Sequence, residues 1–228
     1  MKILALETST EACSVALRIN DDMLERFEIA PSQHSSLLLP MIESLLQEAG
    51  ISLHQLDGLG FSAGPGSFTG LRIAAGVIQG IAAGADLPVV AVSTLESLAL
   101  YAYKNKGKPN ILAAMDARKN EVYWGMYRYK NEGYFQLLGE ECVCLPASVP
   151  LPDSGEWYGI GPGWTNYTGE LTHRVGEALS AYDTGLLPRA SCIAELAQSA
   201  FKQNRQVAAE DALPVYIRNH VADKKLPT

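Results

Sequence analysis

Residues 64–70, Gly64-Pro65-Gly66-Ser67-Phe68-Thr69-Gly70, carry the most specific chemical pattern in the chain. They follow a short apolar run and precede a long helical pattern. Exposed N–H groups at the start of that helix could hold an anion. The stretch lacks the Gly-Lys-Ser/Thr ending of a P-loop, so it is not a Walker-type nucleotide site. Its glycines equally permit close backbone approach to a partner or to another segment, and the residues alone leave both readings open. Residues 7–10 (Glu7-Thr8-Ser9-Thr10) and 116–118 (Asp116-Ala117-Arg118) are polar turns led by an acid. Side-chain bonds back to the main chain are the leading reading of the first turn over phosphate binding, while for the second a solvated turn and an acid facing phosphates stay equally open. His34, His54, His173 and His220 stand far apart, without H-x-x-x-H or H-E-x-x-H spacing. No G-x-S-x-G nucleophile motif and no carboxylate pair suited to glycoside chemistry is evident.

Composition narrows the class. The 228 residues are 47% hydrophobic and 19% charged, enough apolar material for a core and against intrinsic disorder. With 18 Lys and Arg against 25 Asp and Glu, the formal charge is −7. An acidic chain is a poor stand-alone ligand for nucleic acid, whose phosphates demand basic charge. Cys13, Cys142, Cys144 and Cys192 fit neither a zinc knuckle nor a disulfide framework, which suggests a reducing cytoplasm. The first ten residues have too short an apolar run for a signal peptide. Residues 71–85, interrupted by Arg72, Gln79 and glycines, are expected to fall short of a membrane span.

The elements that must position these residues follow from periodicity. Residues 2–6, 13–19 and 23–29 read as an antiparallel meander. Residues 33–49 have a helical apolar period, stopped at Gly50. A brief strand at 58–62, a helix at 69–85 and a buried strand at 89–92 follow. Ser93-Thr94-Leu95-Glu96 has the form of a capping box and opens a third helix to about residue 103. The order is βββαβαβα. After a polar linker at 104–110, the opening pattern recurs: strands at 111–115, 121–129 and 134–141, then a strand at 157–160 running into Gly161-Pro162-Gly163. A helix at 190–203 and an extended run at 213–218 close the chain. This is a degenerate internal duplication. Tyr123, Trp124, Tyr127 and Tyr129 alternate along a strand and read as core and sheet surface.

Within the helix at 69–85, Gly76, Gly80 and Gly84 recur every four residues and share one stripe. Each glycine costs about 1 kcal/mol relative to alanine in a helix interior. Close packing of another backbone against the stripe would offset that cost. Residues 37–49 also present a broad apolar face. Two such helices favour packing against a second polypeptide over burial against the chain's own sheet.

Two similar lobes, each led by a hairpin, are the plan of a two-lobed actin-like α/β fold, the ribonuclease H-like or ASKHA class. Three stretches make a family resemblance specific: ALETSTEACSVAL (5–17), SAGPGSFTGLRI (62–73) and DARKNEVYW (116–124). With LPVYIRN (213–219), the sequence resembles the TsaB family, also called YeaZ, nearly end to end. The resemblance implies residues 1–104 as an N-terminal lobe with interface helices. It implies residues 105–228 as a C-terminal lobe whose last helix and tail pack back on the first.

It further implies a non-catalytic scaffold in forming N6-threonylcarbamoyladenosine at position 37 of tRNAs reading codons that begin with A. The expected partners are a TsaD-like transferase, a TsaE-like ATPase and, in isolation, a second copy, with tRNA engaged only through the complex and no membrane. The implied interface comprises Leu37, Leu38, Met41, Ile42, Leu45, Leu71, Ile73, Gly76, Val77, Gly80 and Gly84. Glu7, Thr8, Ser9, Gly64, Gly66, Ser67, Asp116 and Arg118 would form degenerate phosphate-facing loops. No cofactor is expected to be required, with weak ATP or ADP binding left open. No metal is expected, since Thr94 and Leu98 stand where TsaD carries two ligating histidines, and the capping box accounts for Glu96. The alternative is an ATP-dependent phosphotransferase or peptidase of the same superfamily, with Glu7 and Asp116 as its acids.

Overall fold

The computed structural model describes residues 1–131 and 134–217. Arg218, Asn219 and His220, part of the expected tail, lie outside them. The first half runs β1 (Lys2–Glu7), β2 (Ala12–Ile19), β3 (Asp22–Ile29), α1 (His34–Ala49), β4 (Gly58–Gly64), α2 (Phe68–Ala85), β5 (Val89–Ser93) and α3 (Thr94–Lys106). The second runs β6 (Asn110–Asp116), β7 (Val122–Asn131), β8 (Tyr134–Leu137), β9 (Cys142–Cys144), β10 (Trp157–Ile160), α4 (Gly163–Asn166), α5 (Thr168–Val175), β11 (Leu179–Asp183) and α6 (Ala190–Lys202).

The first sheet has the order β3-β2-β1-β4-β5 and the second β11-β10-β6-β7-β8. Read from its other end, and with β9 set aside as a side branch on β7, the second sheet has the same order by rank, which makes the duplication a fact of topology. In both sheets the first three strands pair antiparallel, and β10 joins β6 in parallel as β4 joins β1. The halves differ in their crossovers. Where the first half has α1, the second has β9 and a 3₁₀ turn at Pro146–Ser148. Where the first has α2, the second has α4 and α5. Sequence reading missed β9, α4, α5 and β11, because short elements leave little periodic signal.

Strand β1 shows how the layers form. Ile3 and Ala5 face a core lying between the two sheets, while Leu4 and Leu6 face α1 and α2. Strand β6 repeats this: Ile111, Ala113 and Met115 join the central core, and Leu112 and Ala114 join one under α4 and α5. Side chains alternate faces along a strand, so a strand covered on both sides reads as one continuous apolar run.

The linker is shorter than expected: α3 continues through Lys106, and Gly107, at φ +66°, ends it in the left-handed conformation. Helix α3 packs on β6 and β7 of the second sheet, whereas α6 packs on β1, β2, β4 and β5 of the first. The start of α6 is held by the first lobe. Ala190 N donates to Ser14 Oγ (3.1 Å), and Ser191 N donates to Glu25 Oε1 (3.0 Å). Arg189 pairs with Glu25 Oε2 at 3.0 Å. Glu25 on β3 thus satisfies a helix N-terminus that its own sequence leaves without a side-chain cap. Glu25→Ala is expected to lower stability in urea unfolding by about 1–3 kcal/mol, the cost of leaving the Ser191 amide and the Arg189 guanidinium unpaired.

Candidate functional site

The first hairpin turn is sealed by the glycine-rich loop. Glu7, Thr8 and Ser9 are at most 2% exposed. Thr8 Oγ1 donates to the Gly70 carbonyl (2.8 Å), and Ser67 N donates to the Ser9 carbonyl (2.7 Å). A Cβ on Gly70 would lie 1.9 Å from the Thr8 carbonyl oxygen, and one on Gly66 would lie 2.6 Å from that of Ser9. The glycines are there so that two backbones can touch. Ser67 caps α2 itself by accepting from Gly70 N at 3.3 Å. Gly64, at φ +124°, faces the Val215 carbonyl of the tail.

Glu7, Thr8 and Ser9, expected in a phosphate-facing loop, are thus packed against the glycine-rich loop. Ser9 N donates to Glu7 Oε1 at 2.6 Å, while Glu7 Oε2, Ser9 Oγ and Ser62 Oγ are buried without a partner. Burial pushes the Glu7 carboxyl up and outweighs the Ser9 backbone N–H bond that pulls it down. A sealed carboxyl held toward its neutral form does not fit Mg²⁺, which asks for charged, accessible oxygens.

The second turn is different. Arg118, Lys119 and Asn120 all have positive φ. Asp116 is half-buried and fully engaged. Arg118 N donates to Oδ1 (2.7 Å), and Asn166 Nδ2 donates to Oδ2 (3.0 Å). Asp116 is held by the Arg118 amide and by the residue ending α4, while the Arg118 side chain stays exposed.

Between the lobes lies a polar cluster that sequence reading did not find. Ser93 caps α3 by accepting from Leu95 N (3.1 Å) and Glu96 N (3.3 Å), as its position predicts. The Ser93 hydroxyl also donates to Glu141 Oε1, and Tyr127 OH donates to the same oxygen. One carboxylate thereby ties β5 to β7. Burial pushes the Glu141 carboxyl up, and the two hydroxyls only partly offset it. Burial also raises Glu96 to about 7, with Arg205 pulling it down and Glu141 adding to the rise. Thr94 and Leu98 are fully buried, and Leu98 Cδ1 would lie 3.0 Å from a Cβ on Gly161. Where the resemblance places a metal site in TsaD, this chain has packed side chains.

The apolar helices divide by face. Leu38, Ile42 and Leu45, at most 4% exposed, belong to the lobe's own core, and Leu71 is 2% exposed. Leu37, Met41, Ile73 and Val77 are half-buried beside that core. Among the described residues, nothing lies within 4 Å of where a Cβ would stand on Gly76, Gly80 or Gly84. Helix α2 has 18 residues and a mean hydropathy of 1.3, the length and composition that a core helix can share with a membrane span. Its inner face nevertheless packs into the first lobe.

Alongside α2 runs the tail, which the sequence-based interface omitted. Val215 N donates to the Ala63 carbonyl (2.8 Å), Gln79 Nε2 to that of Ala212 (3.2 Å), and Arg72 Nε to Tyr216 OH (3.1 Å). Leu213, Val215, Tyr216 and Phe68 are 58%, 56%, 40% and 47% exposed. They extend the apolar surface beyond the glycine stripe. An apolar alternation at Leu213 and Val215 was the available signal.

Residues 27–156 match a family model described as TsaD, tRNA N6-adenosine threonylcarbamoyltransferase. The chain is similar over its full length to the tRNA threonylcarbamoyladenosine biosynthesis protein TsaB of Escherichia coli K12, with 42% identity over 230 residues and 99% of that protein covered. It is 39% identical to the protein of the same name from Haemophilus influenzae, with 98% of that protein covered. Among solved structures, YeaZ from Pseudomonas aeruginosa is 45% identical and superposes with a TM-score of 0.88, covering 94% of this chain and 99% of that one.

Two outcomes test this geometry. Gly70→Ala is expected to lose about 2–4 kcal/mol in urea unfolding, because backbone must move, whereas Gly80→Ala is expected to gain up to about 1 kcal/mol from helix propensity. The Glu96 carboxyl is raised in the folded chain, so its contribution to stability is fullest below about pH 4.5 and is lost as pH climbs through about 7. Glu96→Gln is expected to be more stable than the natural chain at pH 8, on the order of 2 kcal/mol, with the difference vanishing near pH 4.5.

Proposed function

The chain belongs to the TsaB family of tRNA threonylcarbamoyladenosine biosynthesis proteins, and from that membership we propose that it is a non-catalytic subunit of the assembly that makes N6-threonylcarbamoyladenosine in tRNA. Its work is to hold a TsaD-like transferase in a competent shape. The open glycine stripe on α2 carries this reading. Three glycines with open space, among the described residues, where a Cβ would stand are a standing cost to the helix, and a partner backbone laid along them would offset it. The half-buried Leu37, Met41, Ile73 and Val77 and the exposed Phe68, Leu213 and Val215 would widen the same contact.

A second copy would use this surface in isolation, and the heterodimer would recruit a TsaE-like ATPase. With a charge of −7, the chain would meet tRNA through the complex. The cytoplasm, where tRNA is modified, is the proposed location. No nucleotide is required of this chain in the proposal, because Glu7 is sealed behind Gly66 and Gly70.

Gly80→Leu tests the assignment. Its side chain projects into open space, so the lone variant is expected to keep its thermal midpoint while co-purification with the transferase falls at least tenfold. Normal binding by the variant would remove this surface from the interface. Mg²⁺-dependent ATP turnover by the purified chain, abolished by Glu7→Ala, would overturn the non-catalytic role.

A further inference from the structure

Cys142 and Cys144 sit at the two ends of β9 with their sulfurs 3.9 Å apart. Two residues apart on a strand, they project from one face of the sheet. Their cross-strand neighbours Trp124 and Val122 are fully buried, and the cysteines lie half-buried at the rim of that core. Alpha carbons two residues apart on a strand are about 6.6 Å apart, within the span a disulfide accepts. Strand β9 has three residues and pairs with β7, so little structure resists a local buckle.

Among the described residues, no group of three or more His, Cys, Asp or Glu is placed to hold a metal ion. That leaves the pair without the ligands of a zinc centre. The two thiols are also unequal. Either thiol can donate in the S–H···S contact between them; with Cys144 as donor, Cys142 is held below the ordinary thiol range and Cys144 is driven above it. The lower thiol is the better-ionised nucleophile and the other is placed to resolve. Cys13 and Cys192 are buried singly, and burial raises them to about 11 and about 12.

We propose that Cys142 and Cys144 form a dithiol redox site that closes to an intrachain disulfide by exchange with a small-molecule disulfide of the oxidised glutathione type. The Cys142 thiolate attacks one sulfur of the oxidant. A mixed disulfide forms and one glutathione thiolate leaves. Cys144 then gives its proton to solvent, and its sulfur attacks that of Cys142. The mixed bond breaks and the second glutathione leaves. Two electrons pass from the protein dithiol to the oxidant, yielding one protein disulfide and two glutathione thiols.

The full chain equilibrated with graded mixtures of reduced and oxidised glutathione, then acid-quenched, alkylated and mapped by mass spectrometry, tests this. The expected product has lost two hydrogens and two alkylation sites, both in the peptide holding Cys142 and Cys144, with Cys13 and Cys192 still reduced. Cys144→Ser is expected to stop at one glutathione on Cys142, and Cys142→Ser to react about tenfold more slowly. On the unaltered chain, iodoacetamide is expected to label Cys142 first, half-maximally at a pH below that of free cysteine. Equal labelling of the two thiols, a glutathione that persists on the natural pair, a bond to a second chain, or full alkylation at every ratio would overturn the proposal.

Discussion

The architecture depends on an exchange of helices between lobes. Helix α3 closes the first half but covers the second sheet, and α6 closes the second half but covers the first. Their shared core contains Leu95, Leu98, Ala99 and Ala102 of α3 and Ile193, Ala194, Ala197 and Ala200 of α6. Small residues set the spacing. A Cβ on Gly60 would come within 3.0 Å of the Ala197 methyl, so α6 lies close on β4. Neither sheet can expose its inner face without losing a helix that belongs to the other half. This couples the lobes more tightly than a linker would.

Glycine serves opposite ends at two places in the same stretch of chain. At Gly66 and Gly70 any side chain would strike the backbone of the first hairpin, so the missing atoms are used within the fold. One and a half turns farther along α2, the missing atoms at Gly76, Gly80 and Gly84 leave open space. The first set closes the first hairpin turn against the start of α2. The second keeps a helix ridge low.

Polar groups at the lobe junction follow the same logic of burial. Glu141 accepts from Ser93 and Tyr127 in place of water, and Glu96 stands close enough to feel its charge. The cluster is the polar counterpart of the central core, joining β5 and α3 to β7. Hydroxyls offset part of the desolvation of a carboxylate, so such a junction specifies geometry more than it adds stability.

Much of this was legible in the residues. The βββαβαβα order, the recurrence of its opening, Ser93 at a helix start, Gly50 at a helix end and the glycine stripe are local or periodic features, and local backbone rules set them. Which face of α1 and α2 would be inside was not legible. Leu38 and Leu37 are alike as residues, and only the sheet beneath them made one core and left the other at the margin. The anion and packing readings of Gly66 and Gly70 were equally open until Thr8, 62 residues from Gly70, was brought against them. Ser93, Tyr127 and Glu141 carried no shared pattern, because hydrogen bonds between lobes have no fixed spacing along the chain. Periodicity records how a segment meets its immediate neighbours, while only the folded chain decides which distant segment arrives.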